Sequence, residues 1–194
     1  MLIRPAVLWH STRHVEVPCF ITHLLRTCFG GRGFRSVGIF RRSYGSWSQH
    51  AGSLGVGWTH TYDWRIETNL NEVCVFSSAE SGVTDGVHKF SPVEPGKSVS
   101  NEEGCILKCS EDGFFSMVTP GNVTCSFDGK RRLERIETWN GTAITLTRDG
   151  KSGVIVRADH SDGKSLTFEK DEAGSIVKVL APDPSVWVEY ACLR

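Results

Sequence analysis

The sequence predicts an all-β fold built from antiparallel hairpins, and two observations support this prediction. First, short runs of alternating apolar and polar residues are separated by turn dipeptides, such as Asp112-Gly113, Pro120-Gly121 and Asp128-Gly129. Second, one block of sequence recurs at a spacing of 22 residues. The 194-residue chain also contains 20 glycines, which suits tight turns better than long helices.

The recurring block gives the hairpins their boundaries. Asn140-Gly141 precedes Ile144 and Leu146, and Asp162-Gly163 precedes Leu166 and Phe168 at the same offsets. Units this short cannot bury an apolar face alone, so consecutive hairpins are expected to cover one another in a curved sheet. The side chains expected to hold them together are Leu133, Ile136, Ile144, Leu146, Leu166, Phe168 and Ile176.

The repeat also predicts a register. If Ile136 and Leu146 share a sheet face and pair directly, residues 140–142 form a three-residue loop. The equivalent pair in the next unit is Ala158 and Phe168. An odd-length loop of this kind requires Gly141 to adopt a positive φ, as in a G1-type bulge.

Composition and charge exclude several classes of partner. Twenty-two basic and 22 acidic residues cancel, which argues against nucleic acid or an anionic membrane as a partner. No apolar run approaches the roughly 18 residues that a membrane span requires. The charge pattern therefore predicts neither a nucleic-acid partner nor a membrane span.

The cysteines predict neither a disulfide framework nor a metal site. Their number, seven, is odd, and disulfide frameworks favour an even count. Cys105 and Cys109 would lie about 13 Å apart on one strand, too far to bond to each other. With Cys125 they still lack a fourth ligand at zinc spacing. We expect reduced, partly buried thiols, with no metal and no cofactor.

Residues 1–38 differ from the rest of the chain. The segment from Met1 to Arg42 contains seven arginines, no lysine and a single acidic residue, Glu16. It lacks the alternation seen later and has too short an apolar run for a secretory signal. The sequence predicts an irregular or poorly ordered leader that is foreign to the domain behind it. Without a recognisable signal, the chain as it stands is expected to be cytoplasmic.

One stretch after this leader resembles the module that precedes the repeats in Rhs or YD-repeat proteins. Residues 40–46 read FRRSYGS and residues 52–64 read GSLGVGWTHTYDW. The positions that match the family pattern are Arg42, Tyr44, Gly55, Gly57, Trp58, His60, Tyr62 and Asp63. We name residues 39–128 the opening module.

A second block, residues 129–179, resembles the YD-repeat cadence, with Gly141 and Gly163 at its turns. It departs from that pattern because the tyrosine before each aspartate is absent: Arg148 precedes Asp149, and Lys170 precedes Asp171. Residues 129–194 are therefore expected to be an incomplete set of hairpin repeats.

The resemblance implies a structural role. In such proteins the strips wind into a hollow β-shell that encloses a C-terminal toxin or effector domain. This chain would then be a fragment of a secreted or cell-surface carrier, without catalytic activity. Its partners would be the rest of the shell and the toxin cargo.

Two groups of residues offer alternatives to a purely structural role. His60 lies near Tyr62 and Asp63, but a packed strand with a hydrogen-bonded histidine explains this spacing better than a catalytic site. Trp139 precedes the Asn140-Gly141 turn and is expected to be exposed, so an adhesion or carbohydrate-binding module is the rival hypothesis. Asp128, Asp149 and Asp171 are expected to be turn residues.

Overall fold

The computed structural model describes residues 21–26, 39–45, 48–77, 86–182 and 187–189. Within these ranges every regular element is a β-strand, and every strand pairing is antiparallel. The predicted all-β class is confirmed. No helix among these residues is long and apolar enough to cross a membrane.

The first part of the chain forms three small sheets. Their strands are β1 (Ile21–Arg26), β2 (Ile39–Tyr44), β3 (Ala51–Gly52), β4 (Gly55–Val56), β5 (Trp58–His60), β6 (Arg65–Thr68), β7 (Val73–Ser77) and β8 (Gly86–Phe90). The sheet orders are β1-β2-β5, β3-β4 and β6-β7-β8. β1 pairs with β2 along its whole length, so this part of the predicted leader is regular rather than irregular. The rest of residues 1–38 lies outside the described residues.

The second part is one ten-stranded sheet whose spatial order follows the chain. Its strands are β9 (Ser98–Ser100), β10 (Ile106–Cys109), β11 (Phe115–Val118), β12 (Val123–Phe127), β13 (Leu133–Thr138), β14 (Ala143–Arg148), β15 (Ile155–His160), β16 (Ser165–Lys170), β17 (Ile176–Leu180) and β18 (Trp187–Glu189). The sheet crosses the predicted division at residues 128 and 129 without interruption, because β12 pairs with β13.

The hairpin register differs from the predicted one by two residues. Ile136 lies opposite Ile144, not Leu146, and Ala158 lies opposite Leu166, not Phe168. Because side chains alternate with a period of two, this shift leaves every apolar residue on its predicted face. Residues 139–141 form the loop, so its odd length is confirmed although its position is one residue earlier. Gly141 has the predicted positive φ, at 82°.

The same type of turn closes most hairpins of the sheet. In each one, a residue one or two positions before the second strand has a positive φ, and its N–H donates to the carbonyl oxygen three residues earlier. These residues are Gly104, Gly113, Asn122, Arg131, Gly141, Gly163 and Gly174. The prediction that three aspartates are turn residues is confirmed. The carboxylates of Asp128, Asp149 and Asp171 accept hydrogen bonds from backbone N–H groups of their own turns.

Bulges recur with the repeat. The ladder shifts register between Ser126 and Phe127, between Thr147 and Arg148, and between Glu169 and Lys170. A bulge bends its strand and increases the local twist, so these sites curve the sheet.

One apolar core joins strands β2 to β8, the part of the opening module that precedes β9, to the ten-stranded sheet. All seven predicted packing residues of the repeats are buried, from Leu133 at 0% exposure to Ile136 at 9%. The same core cluster contains residues of the opening module, namely Phe40, Leu54, Tyr62, Trp64, Ile66, Val73, Val75 and Phe90. The part of the opening module that contains β2 to β8 therefore covers the apolar face that the hairpins present.

Candidate functional site

The opening motif, residues 40–46 and 52–64, assembles where β2 pairs with β5. Arg42 lies opposite His60, and Tyr44 lies opposite Trp58. The Arg42 guanidinium lies 4.6 Å from the centroid of the Trp58 ring, and the Tyr44 ring centroid lies 5.0 Å from the same ring. Arg42 and Tyr44 therefore both contact the Trp58 ring.

Two glycines make the loop before β5 possible. Gly55 and Gly57 have φ values of 103° and 77°, which favour residues without a β-carbon. A β-carbon on Gly57 would also lie 2.9 Å from Cε2 of Tyr44 and 2.9 Å from the carbonyl oxygen of Gly45. Glycine is therefore required at position 57 by the positive φ and by the close approach of Tyr44 and Gly45.

The motif docks on the ten-stranded sheet through aromatic rings. The centroid of Phe168 in β16 lies 5.4 Å from that of Phe40 and 6.3 Å from that of Tyr62. Backbone hydrogen bonds add to this contact: Leu133 N–H donates to Trp64, and Ile66 N–H donates to Arg131. Burial by itself raises the pKa of the Tyr62 phenol well above its usual range.

His60 is a buried, neutral histidine with a defined tautomer. The backbone N–H of Tyr62 donates to Nδ1 of His60 at 3.2 Å, so the ring proton is on Nε2. Nε2 then donates to Oγ of Ser53 at 3.0 Å. Burial lowers the pKa of His60 to about 4, and the opposing effect of Asp63 is smaller. In this tautomer His60 cannot accept the proton of Ser53, so the pair is a structural hydrogen bond.

Asp63 lies beside a second histidine. Its Oδ2 atom is 3.4 Å from Nε2 of His50. Burial alone would raise the pKa of Asp63, but the interactions with His50 and His60 and the charge of Arg65 outweigh it and lower the pKa. Asp63 is therefore ionised beneath the loop of Gly52, where an added β-carbon would lie 2.8 Å from its Oδ2.

The repeat residues singled out by the sequence lie at hairpin tips. Trp139 is the first residue of its three-residue loop and is 77% exposed. Gly141 and Gly163 have φ values of 82° and 89°, and a β-carbon on either would meet nothing within 4 Å. These tips are remote in sequence from the opening motif.

A different group of side chains brings three possible metal ligands together. Nδ1 of His88 makes a short contact with Oε2 of Glu103 and lies 3.9 Å from Sγ of Cys105. The three ligand atoms lie within 4.8 Å of one another, and no other group of three His, Cys, Asp or Glu residues does so within the described ranges. His88 belongs to β8, whereas Glu103 and Cys105 belong to the β9–β10 turn.

The cysteine prediction is therefore confirmed in one respect and incomplete in another. Cys74, Cys105 and Cys109 are free and buried, as expected, and Cys125 is buried too. No metal ligands were expected to converge on Cys105, but the side chains of His88 and Glu103 lie beside it. Sequence spacing gave no signal, because His88 reaches the other two residues from a separate sheet. Burial, and then the Glu103 carboxylate, raise the pKa of the Cys105 thiol.

Part of the chain is similar to a known domain family. Residues 38–84 match the family model described as a domain of unknown function, DUF6531. This segment contains the opening motif and strands β2 to β7. The match covers part of the chain that packs against the ten-stranded sheet, and it does not include the sheet itself.

A curated protein of Azorhizobium caulinodans is also similar. It is named a UPF0173 metal-dependent hydrolase and is 29% identical over 126 residues, which cover 63% of this chain. The matched region spans about half of that protein, 52% of its length. This finding corrects the prediction that the chain is not an enzyme, because the relative's name points to hydrolytic activity and the structure contains a group of metal-ligating side chains.

Proposed function

We propose that this chain supplies the opening segment of a β-shell of the Rhs or YD-repeat type, which encloses a C-terminal toxin or effector domain. The main support is the uninterrupted ten-stranded meander whose apolar face is covered by the residues of β2 to β8. The domain matched by residues 38–84 is often found in Rhs and YD-repeat proteins.

In this proposal the opening module starts the shell, and each hairpin extends it. A hairpin adds two strands to the open edge and buries a pair of apolar side chains on one face. Burial of each such side chain contributes about 1.5–3 kcal/mol relative to leaving it in water. The outer strands of the described sheet, β9 and β18, each pair on one side within that sheet. An open edge of this kind can accept a further strand.

The coding sequence that flanks the chain tests this proposal. Positive-φ turn residues recur between Gly104 and Gly174 at intervals of 9 to 12 residues. In-frame units with the same spacing beyond Arg194, followed by a C-terminal domain of unrelated sequence, are expected. A stop codon directly after Arg194, with no such unit downstream in any frame, would contradict the proposal.

Protease protection of the full-length product gives a second test. A cargo domain inside a closed shell should resist a protease that digests the same domain alone. Phe168→Ala should make the cargo accessible, because it removes the ring against which Phe40 and Tyr62 pack. Phe114→Ala is the control, since Phe114 is 52% exposed.

Metal-dependent hydrolysis is a second candidate function. It is supported by the name of the Azorhizobium relative and by the convergence of His88, Glu103 and Cys105. The purified chain should hydrolyse simple ester or phosphoester substrates when Zn²⁺ is supplied and stop when the ion is chelated. Hydrolysis that is absent with Zn²⁺, or unchanged by chelation, would remove this candidate without affecting the shell proposal.

A further inference from the structure

We propose that His88, Glu103 and Cys105 bind a divalent metal ion of the zinc type, and that this ion joins β8 to the β9–β10 turn. Nitrogen, oxygen and sulfur ligands together suit Zn²⁺ better than Mg²⁺ or Ca²⁺, which prefer oxygen alone. The site is independent of the shell proposal, because it depends on these three side chains and not on what the sheet encloses.

The spacing of the ligand atoms fits a tetrahedral ion. Zn–S and Zn–N bonds of about 2.3 and 2.0 Å at a tetrahedral angle place sulfur and nitrogen about 3.5 Å apart. Sγ of Cys105 and Nδ1 of His88 are 3.9 Å apart. Glu103 must move its carboxylate slightly outward to admit the ion, and its 56% exposed side chain has the freedom to do so.

Ser77 fixes the histidine tautomer that a metal would need. Its hydroxyl donates to the carbonyl oxygen of Gly86 at 3.2 Å, and its oxygen lies 3.2 Å from Nε2 of His88. The Ser77 oxygen is then the acceptor for Nε2–H, which leaves a lone pair on Nδ1. An outer hydrogen bond of this kind orients metal-binding histidines in general.

The same arrangement places three donor atoms within reach of one cation. The Nδ1 lone pair of His88 faces the Glu103 carboxylate, and Sγ of Cys105 lies within 4.8 Å of both ligand atoms. A metal ion would displace the proton of the Cys105 thiol, because cysteine binds metals as the thiolate. A metal ion satisfies all three together. A proton on Nδ1 is the competing occupant, since it would give an ion pair between His88 and Glu103.

The proposed site has two consequences. It joins the three-stranded sheet β6-β7-β8 to the ten-stranded sheet, so metal binding should stabilise the fold. It also has three protein ligands, which leaves a fourth tetrahedral position for water or substrate. Glu103 is exposed, so this position is expected to face solvent.

Cobalt titration of the chelator-stripped full chain tests the site. One equivalent of Co²⁺ should give a thiolate-to-cobalt charge-transfer band, and Zn²⁺ should displace it. Cys105→Ser should abolish the band. Cys109→Ser is the control and should retain the band. Cys109 is also a free cysteine and is only 5% exposed, but it lies outside the site.

Carboxylate and serine variants complete the test. Glu103→Gln should weaken Co²⁺ binding at least tenfold, whereas Glu102→Gln, in the same turn, should not. Ser77→Ala should weaken binding by about 10- to 100-fold, as loss of an outer-shell partner does. Circular dichroism checks that each variant is folded.

Three results would overturn the proposal: no stoichiometric binding of Co²⁺ or Zn²⁺, an unchanged band in Cys105→Ser, or equal affinities for Glu103→Gln and Glu102→Gln. In the first case the proton is the occupant, and His88 and Glu103 form a simple ion pair.

Discussion

The backbone N–H of Ile176 donates a 2.7 Å hydrogen bond to the carbonyl oxygen of Ser53. Ser53 lies in the tight turn between β3 and β4, and Ile176 begins β17 near the far edge of the ten-stranded sheet. The hydroxyl of Ser53 also accepts the Nε2–H of buried His60. Ser53 therefore connects His60 of the opening motif with Ile176, the first residue of β17.

Loss of the Phe168 ring should weaken the packing of strands β2 to β8 against the ten-stranded sheet. Phe168→Ala should reduce the free energy of unfolding by about 3–5 kcal/mol, because it leaves a cavity between Phe40 and Tyr62. Urea denaturation measures the change. Phe114→Ala is the matched control and should change stability by less than about 1 kcal/mol, since Phe114 is exposed. Equal losses in the two variants would contradict the docking contact.

Substitution of Gly57 should be costly for two reasons. Gly57→Ala forces a β-carbon into the left-handed region and against Tyr44, so a loss of about 2–4 kcal/mol is expected in thermal or urea unfolding. Gly141→Ala should cost about 1–2 kcal/mol, because strain acts there without a clash. Gly150→Ala is the control: Gly150 lies outside the left-handed region, and its β-carbon would meet nothing within 4 Å.

Buried His60 should make the fold sensitive to mild acid. The folded-state pKa is about 4 and the ordinary value is 6.5, so the unfolded chain takes up a proton first as the pH falls. The contribution of neutral His60 to the free energy of unfolding is complete above about pH 6.5. It is lost between about pH 6.5 and about pH 4, and the total loss is about 3 kcal/mol. Urea unfolding at several pH values measures this slope.

The variant His60→Gln isolates that effect. Glutamine can accept the Tyr62 N–H and donate to Ser53 without titrating, so its stability should vary much less between pH 6.5 and 4.5. An unchanged slope in His60→Gln would assign the acid sensitivity to other groups. Asp63 has a lowered pKa, so its contribution is lost at lower pH than that of His60.

The Tyr62 hydroxyl should contribute little to stability. Oη of Tyr62 is buried without a hydrogen-bond partner among the described residues. Tyr62→Phe should therefore leave stability unchanged or raise it by about 1–3 kcal/mol, because it removes an unsatisfied polar group and keeps the ring. A loss of more than about 1 kcal/mol in thermal unfolding would show that the hydroxyl has a partner.

Trp139 decides the adhesion hypothesis. Its ring is 77% exposed, so Trp139→Ala should change the free energy of unfolding by less than about 0.5 kcal/mol. Glycan titration of the wild type and of Trp139→Ala then reports binding separately from folding. If adhesion is the role, the wild type binds and the variant loses affinity at least tenfold. Binding by neither protein removes the hypothesis.

Sequence periodicity predicted the faces of the strands but not their pairing. Leu166 and Phe168 occupy one face in any register that shifts by two residues, so alternation could not distinguish the predicted pair Ala158–Phe168 from the observed pair Ala158–Leu166. The turn geometry settled this choice, because the hydrogen bond from Gly163 to His160 places the loop one residue earlier than predicted.

The metal-ligand group shows a different limit. Glu103 and Cys105 are neighbours in a turn, but His88 reaches them from another sheet, and no spacing rule joins such positions in one chain. The Ser77 contact that fixes the histidine tautomer is likewise visible only when β7 and β8 are paired.

The sequence by itself determined the local features: the all-β class, the odd-length turns, the positive φ of Gly141 and the burial of the alternating apolar residues. These depend on backbone sterics and on a period of two, which act within a few residues. Tertiary structure decided that the opening module covers the hairpins, that Ser53 meets Ile176, and that three ligands converge at His88. Those contacts depend on how separate sheets pack, and long-range packing leaves no fixed spacing in the chain.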